Sequence, residues 1–150
     1  MAMGPDSTAA VPAAADSTAV APPPGTPTPD PLYQTSLREL GRGSLATARA
    51  GFRDFLRTYP THSQVPDALY FTGETFAVEN ADSAGHYYRE VAQRFPASER
   101  APTSLYKLGL LAERRQDRTA ARTAYQRVIQ QYPRSPEATL ARDRLAALQP

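Results

Sequence analysis

The chain has 150 residues, of which 41% are hydrophobic and 21% are charged, and its formal net charge is +2. This composition suits a soluble globular domain and excludes a collagen-like or wholly disordered chain. Cysteine is absent, which excludes disulfides and cysteine-ligated zinc. No stretch approaches the ~20 consecutive apolar residues that span a bilayer, so direct membrane insertion is not expected.

Residues 1–31 differ from the rest of the chain, because they hold eight of the fifteen prolines and no aromatic residue. Such a segment cannot bury enough apolar surface to offset the entropy cost of ordering it. We therefore expect a Pro/Ala/Thr-rich extended linker or tail over residues 1–31 and a folded domain over residues 32–150. The segment also lacks the basic start and apolar core of a secretory signal, so the sequence predicts no signal peptide.

The charges of the folded part are dispersed. Three aspartates are the only charged residues before Leu32, which leaves 17 basic and 12 acidic side chains and a net charge of +5. All the basic residues except Lys107 are arginines, and they form no runs. A nucleic-acid interface needs a concentrated basic face with aromatic residues for base stacking. We therefore expect a solvated surface and no nucleic-acid partner.

A repeat of 36 to 37 residues organises the folded part. Similar proline-terminated blocks occur at residues 55–60 (FLRTYP), 91–96 (VAQRFP) and 128–133 (VIQQYP), and a second pair matches at residues 66–73 (PDALYFTG) and 102–109 (PTSLYKLG). Repeats of this length are typical of stacked helical hairpins.

Each block carries the apolar spacing of one helical face. The nine residues of these faces are Ala48, Phe52, Phe55, Ala84, Tyr88, Val91, Ala121, Tyr125 and Val128. Ser44, Asn80 and Asp117 stand four residues before the three alanines, where their side chains are predicted to cap the second helix of each hairpin.

The first helices of the later blocks open on proline and contain a glycine. Pro66, Pro102 and Pro136 suit the first turn, because proline has no amide proton to leave unpaired. Glycine costs ~1 kcal/mol inside a helix, so Gly73 and Gly109 predict a close approach of the partner helix.

The predicted fold is all-α. We expect hairpins at about 32–60, 66–96 and 102–133, followed by a capping helix at 136–148. Leu140, Leu145 and Leu148 give that last helix an apolar stripe, which is predicted to cover the open end of the stack.

The third block resembles the tetratricopeptide repeat (TPR). The residues that carry the resemblance are Leu105, Leu108, Gly109, Ala121, Tyr125 and Pro133. The second block departs from this pattern at Thr72, and the first has Ser36 near the glycine position. The resemblance implies a TPR-like right-handed α-solenoid, in which the first helices of the hairpins line a concave binding face.

The proline-rich connections narrow the resemblance. They look like those of periplasmic TPR proteins of the Gram-negative envelope, above all the C-terminal domain of the Tol-Pal-associated cell-division coordinator family, and more distantly the TPR lipoprotein of the outer-membrane β-barrel assembly machine. This resemblance covers residues 32–150. It implies a periplasmic, non-enzymatic adaptor for envelope proteins. The trimerising coiled coil of that family is missing here, since residues 1–31 contain no heptads, and the oligomeric state stays open.

The concave face is the predicted binding site. Tyr33, Tyr70 and Tyr106 occupy equivalent positions and form a row suited to a peptide groove. Alternatively, their rings pack between adjacent first helices as ordinary core. The other residues expected to face the groove are Asp67, Glu74, Val78, Thr103, Leu110, Glu113 and Arg114. These side chains predict a mixed surface without a cluster of cations.

Catalytic and metal-binding patterns are not found. His62 and His86 are isolated, so we expect surface side chains rather than a metal site or a catalytic triad. The chain also has no phosphate-binding glycine loop. We therefore expect a protein that is not an enzyme and takes no cofactor or metal. Two functions remain open: an adaptor that binds an envelope or membrane-associated protein, and an accessory structural subunit permanently built into a membrane-associated complex, with its tail ordered along its neighbours.

Overall fold

The computed structural model describes residues 24–25 and 29–150, and the regular structure of this part is entirely helical. The helices are α1 (Pro29–Gly41), α2 (Leu45–Thr58), α3 (Val65–Phe76), α4 (Ala81–Arg94), α5 (Arg100–Arg114), α6 (Arg118–Gln131) and α7 (Pro136–Ala147). The predicted tail falls mostly outside the described residues. Helix α1 begins at Pro29, ahead of the expected boundary at Leu32. Its two prolines lie in the first turn, where the helix does not need the amide proton that proline lacks.

The helices form three hairpins in chain order, α1–α2, α3–α4 and α5–α6, and α7 packs on both helices of the third hairpin. Each hairpin also packs on the next, through the contacts of α2 with α3 and of α4 with α5. The predicted all-α solenoid of three hairpins and a closing helix is confirmed.

The predicted apolar faces form the core of the stack. All nine side chains on α2, α4 and α6 are fully buried. Burial of a large apolar side chain stabilises a fold by about 1.5–3 kcal/mol. The repeated spacing of four and three residues therefore predicted correctly which side chains form the core of the solenoid.

Two of the three predicted caps are formed. The side chain of Asn80 accepts a hydrogen bond from the amide of Ser83 at 3.0 Å, and that of Asp117 accepts one from Ala120 at 2.9 Å. The cap predicted at Ser44 is wrong, because its side chain makes no capping bond. Ser44 follows Gly43, whose φ of +78° turns the chain just before the helix.

The glycines of α3 and α5 lie against aromatic rings of the partner helix. A Cβ on Gly73 would meet Tyr88 Cε1 at 2.8 Å, and a Cβ on Gly109 would have three ring carbons of Tyr125 within 2.8 Å. The predicted close approach is confirmed. Only a residue without a side chain lets these rings lie flat against the backbone of the first helix.

The first hairpin reverses this arrangement. Ser36 is buried in α1 and its hydroxyl donates to the carbonyl of Leu32 at 2.9 Å, while the glycine is Gly51 on α2. A Cβ on Gly51 would lie 3.3 Å from Ser36 Cβ and closer still to the hydroxyl. Close packing is kept because the small residue has moved to the other helix.

Helix α7 closes the stack with a different stripe from the one predicted. Ala138 and Ala141 are fully buried, and Leu145 and Leu148 pack partly buried in the same cluster. Leu140 is 47% exposed, which corrects the prediction that it belongs to the covering face. The covering residues recur three and four positions apart, and Leu140 lies off that helical face.

Candidate functional site

The first helices of the hairpins lie side by side. Helix α3 contacts both α1 and α5, and α5 contacts α7, whereas the second helices α2, α4 and α6 make no contacts with one another. Elements that touch along one side and separate along the other produce a curved stack. The first helices therefore line the inner, concave face.

The predicted tyrosine row lies deeper than a binding groove requires. Tyr33 is only 5% exposed and packs on Phe52, and Tyr70 is 7% exposed and packs on Tyr88. Burial is the main reason that the pKa of each of these two phenols is raised to about 12. Both rings are therefore core, as the alternative expected, but the rings they pack on lie on the second helix of their own hairpin rather than on an adjacent first helix. Tyr106, half-buried against Tyr125 with ring centroids 5.5 Å apart, offers more surface.

Polar side chains join α3 to α5 and α5 to α7. Arg100 of α5 donates to Asp67 of α3 at 2.5 Å, and its guanidinium lies over the ring of Tyr70. Thr103 of α5 donates to Glu137 of α7 at 2.6 Å. Two of the predicted groove residues, Asp67 and Thr103, thus hold neighbouring helices together and are only partly free for a partner.

Two glutamates of the concave face are held from behind by buried tyrosines. The Tyr88 hydroxyl donates to Glu74, and the Tyr125 hydroxyl donates to Glu113 at 2.5 Å. Burial first, and then the hydrogen bond to the carboxylate, raise the pKa of both phenols far above the usual value. The phenols stay protonated and fix the position of each carboxylate.

Each of these glutamates also meets a cation from a neighbouring first helix. Lys107 donates to Glu74 at 3.1 Å, and Arg144 of α7 lies 3.5 Å from Glu113. A hydrogen bond with Tyr106, together with the charge of Glu113, raises the pKa of Arg144. Arg144 is therefore anchored between α5 and α7.

A concave pocket of about 460 Å³ opens between the ends of these helices. Its walls are Ala77, Tyr88, Lys107, Leu110, Leu111, Glu113, Arg114 and Arg144. The structure thus brings together three of the predicted groove residues, Leu110, Glu113 and Arg114. Val78, in the turn after α3, is 82% exposed. Binding of a partner by these residues stays a prediction.

The pocket contains more positive charge than the sequence indicated. Lys107, Arg114 and Arg144 all line it, which corrects the expectation of a surface without a cluster of cations. Each cation is already bonded to the protein, Arg114 through the carbonyl of Ala77 at 2.9 Å. The rim combines these cations with the fixed carboxylate of Glu113 around the apolar side chain of Leu110.

The repeat pattern did not indicate Arg100, Lys107 and Arg144 as residues of the concave face. Equivalent positions in the repeat lie 36 to 37 residues apart, whereas these cations contact carboxylates 31 to 33 residues earlier in the chain. An acidic residue followed by a cation slightly less than one repeat later is the signal that could have found them.

The histidines contribute no site. His62 packs edge-on against Phe55 in the connection after α2, and its Nδ1 accepts a hydrogen bond from the amide of Gln64 at 3.2 Å. His62 is partly buried, which corrects the expectation of a surface residue, whereas His86 is exposed.

Across residues 24–25 and 29–150, no helix is long and apolar enough to cross a membrane.

Comparison with known families agrees with this geometry. Residues 103–135 match the tetratricopeptide repeat. The match covers most of α5, all of α6 and the turn that leads to α7, which is the hairpin with Gly109 against Tyr125. No curated protein matches the chain. The TPR match and the stacked hairpins support a TPR protein, and TPR domains bind protein partners.

Proposed function

We propose that this protein is a non-enzymatic adaptor of the bacterial cell envelope, periplasmic in location, which holds a segment of a partner protein on its concave face. The observation that carries the binding site is the concave pocket, where partly exposed Leu110 lies among three cations and the carboxylate of Glu113. Such a mixture of one apolar contact and fixed polar groups suits an extended peptide, whose backbone and side chains offer both donors and acceptors. The proline-rich connections, which look like those of periplasmic TPR proteins, support the envelope location.

The experiment is affinity purification with the full chain as bait, from periplasmic and membrane fractions of the source cells, followed by mass spectrometry. A concave variant, Leu110→Ser with Arg114→Ser, is compared with a matched variant on the outer face, Leu56→Ser with Arg53→Ser. The adaptor proposal predicts envelope proteins that the unchanged chain and the outer-face variant retain and the concave variant loses.

Equal recovery of the same partners by both variants would refute the concave site. Recovery of cytoplasmic proteins alone would refute the envelope location. A partner that stays bound through extended washing, and is recovered equally with every variant, would instead indicate a permanent structural subunit.

A further inference from the structure

A second cavity lies on the outer face, between α4 and α6. It has a volume of about 340 Å³, and α5 forms its floor. We call it the outer groove. The apolar part of its lining includes Gly85, Leu105, Leu108, Leu111, Ala112 and Ala124. This volume is at the lower end for ligand sites and fits one large apolar side chain with its neighbours.

The equivalent groove between α2 and α4 is filled by the protein itself. Phe76 and Tyr87 stack there with ring centroids 5.9 Å apart, and the guanidinium of Arg49 lies 3.8 Å from the Phe76 ring centre. Arg49 also donates to the Thr75 carbonyl at 2.7 Å and to Glu79 at 2.9 Å. Three large side chains therefore close this groove.

One repeat later, the same three positions are small. Arg49, Phe76 and Tyr87 correspond to Gly85, Ala112 and Ala124 by the spacing of 36 to 37 residues. The outer groove is therefore open because small residues replace the three large side chains that fill the preceding groove. The hairpin beneath it is still closely packed.

The charges around the groove also change from one repeat to the next. Arg89 and Arg127 line opposite walls and form no ion pair with any described residue. In the preceding groove, the position of Arg127 is occupied by Glu90. The two acidic residues of the lining are already engaged, Asp82 with Arg115 and Asp117 as the cap of α6. The groove thus has an apolar floor between two free cations.

We propose that the outer groove binds an acidic segment of a partner protein, which places a leucine, phenylalanine or methionine over Leu108 and aspartates or glutamates against Arg89 and Arg127. The charge of the rim selects a carboxylate-bearing partner, and the aliphatic floor selects an apolar side chain. A nucleic acid fits this site less well, because the groove offers no aromatic ring for base stacking.

The probe is a phage-displayed random peptide library, selected on the immobilised full chain. Enriched peptides are then synthesised with a fluorescent label, and their affinities are measured by anisotropy. We expect an enriched pattern of one large apolar residue flanked by aspartate or glutamate. Replacement of that apolar residue by alanine should weaken binding about tenfold or more.

Two kinds of variant locate the bound peptide. Ala124→Tyr restores the ring found one repeat earlier, and Arg89→Glu with Arg127→Glu reverses the rim without touching the core. Both should abolish binding. The matched control, Arg53→Glu with Arg134→Glu, carries the same charge change elsewhere and should bind like the unchanged chain. The double reversal keeps the test valid if Ala124→Tyr folds poorly.

Six results would overturn the proposal. Two concern recognition: selection of peptides without the acidic and apolar pattern, and undiminished binding by the rim variant. Two concern the site and the ligand class: loss of binding in Leu110→Ser, which would place the peptide on the concave face, and displacement of the peptide by a single-stranded oligonucleotide. The last two concern the occupant. Doubling of the solution mass that Ala124→Tyr abolishes would identify a second copy as the occupant. Competition by a synthetic peptide of residues 1–28 would identify the chain's own segment instead.

Discussion

Replacing Gly109 by alanine tests the packing on which the third hairpin depends. The new Cβ would have three carbons of the Tyr125 ring within 2.8 Å. Ordinary carbon contacts lie at about 3.5–4.0 Å, so the ring must move by about 1 Å. Tyr125 is fully buried and its hydroxyl is bonded to Glu113 at 2.5 Å, so it has no free space to move into without breaking that bond.

The expected change in the free energy of unfolding follows from three contributions. Overpacking costs about 1–3 kcal/mol, and loss of the hydrogen bond costs about 1 kcal/mol. Alanine returns about 1 kcal/mol, because it is the better helix former. We therefore expect Gly109→Ala to destabilise the protein by about 1–3 kcal/mol, measured by urea unfolding followed by far-ultraviolet circular dichroism.

Gly85→Ala is the matched control within the same solenoid. The nearest atom to its Cβ would be the flexible end of Arg89 at 3.3 Å. Because nothing rigid opposes the methyl group, we expect a gain of up to about 1 kcal/mol. In a Tyr125→Leu background, Gly109→Ala should lose its penalty, since the opposing ring is gone. A Gly109→Ala protein as stable as the unchanged chain would refute the packing argument.

Three further outcomes are expected. Asp117→Ala should cost about 1 kcal/mol of unfolding free energy, because it removes a formed cap, whereas Ser44→Ala should be nearly neutral in the same urea titration. The two buried phenols of Tyr33 and Tyr70 should contribute fully to the free energy of unfolding below about pH 10, the usual tyrosine pKa. This contribution should fall as the pH rises toward about 12, their pKa in the fold, because the unfolded chain releases these protons first. Thermal unfolding across that range should show a smaller fall for Tyr33→Phe with Tyr70→Phe, and an unchanged pH dependence in that variant would contradict the assignment.

The helices and their buried faces could be predicted because they depend on local rules. A spacing of four and three residues places Ala48, Phe52 and Phe55 on one side of any helix, whatever lies opposite. The caps at Asn80 and Asp117 follow from the hydrogen-bonding reach of a short polar side chain. The cap at Ser44 could not be judged in this way, because the direction of its side chain depends on the turn at Gly43 that precedes it.

The candidate sites were less predictable. The positions of Tyr33 and Tyr70 in the repeat fitted either a groove surface or core packing, and the structure shows that both rings turn into their own hairpins. Leu140 occupies the equivalent position in α7 and is exposed, because no second helix follows α7 among the described residues to cover it. Burial at this position therefore depends on a partner helix that the position itself does not reveal.

The sequence alone determined the repeat, the order of the helices, the buried faces and the close contacts at Gly73 and Gly109, since each depends on residues within one helix or one hairpin. Only the tertiary structure decided which charges meet across the concave face and that the outer groove is open. Both depend on how one rigid hairpin is placed against the next. Small differences in that placement decide which side chains, about 30 residues apart in the chain, come into contact.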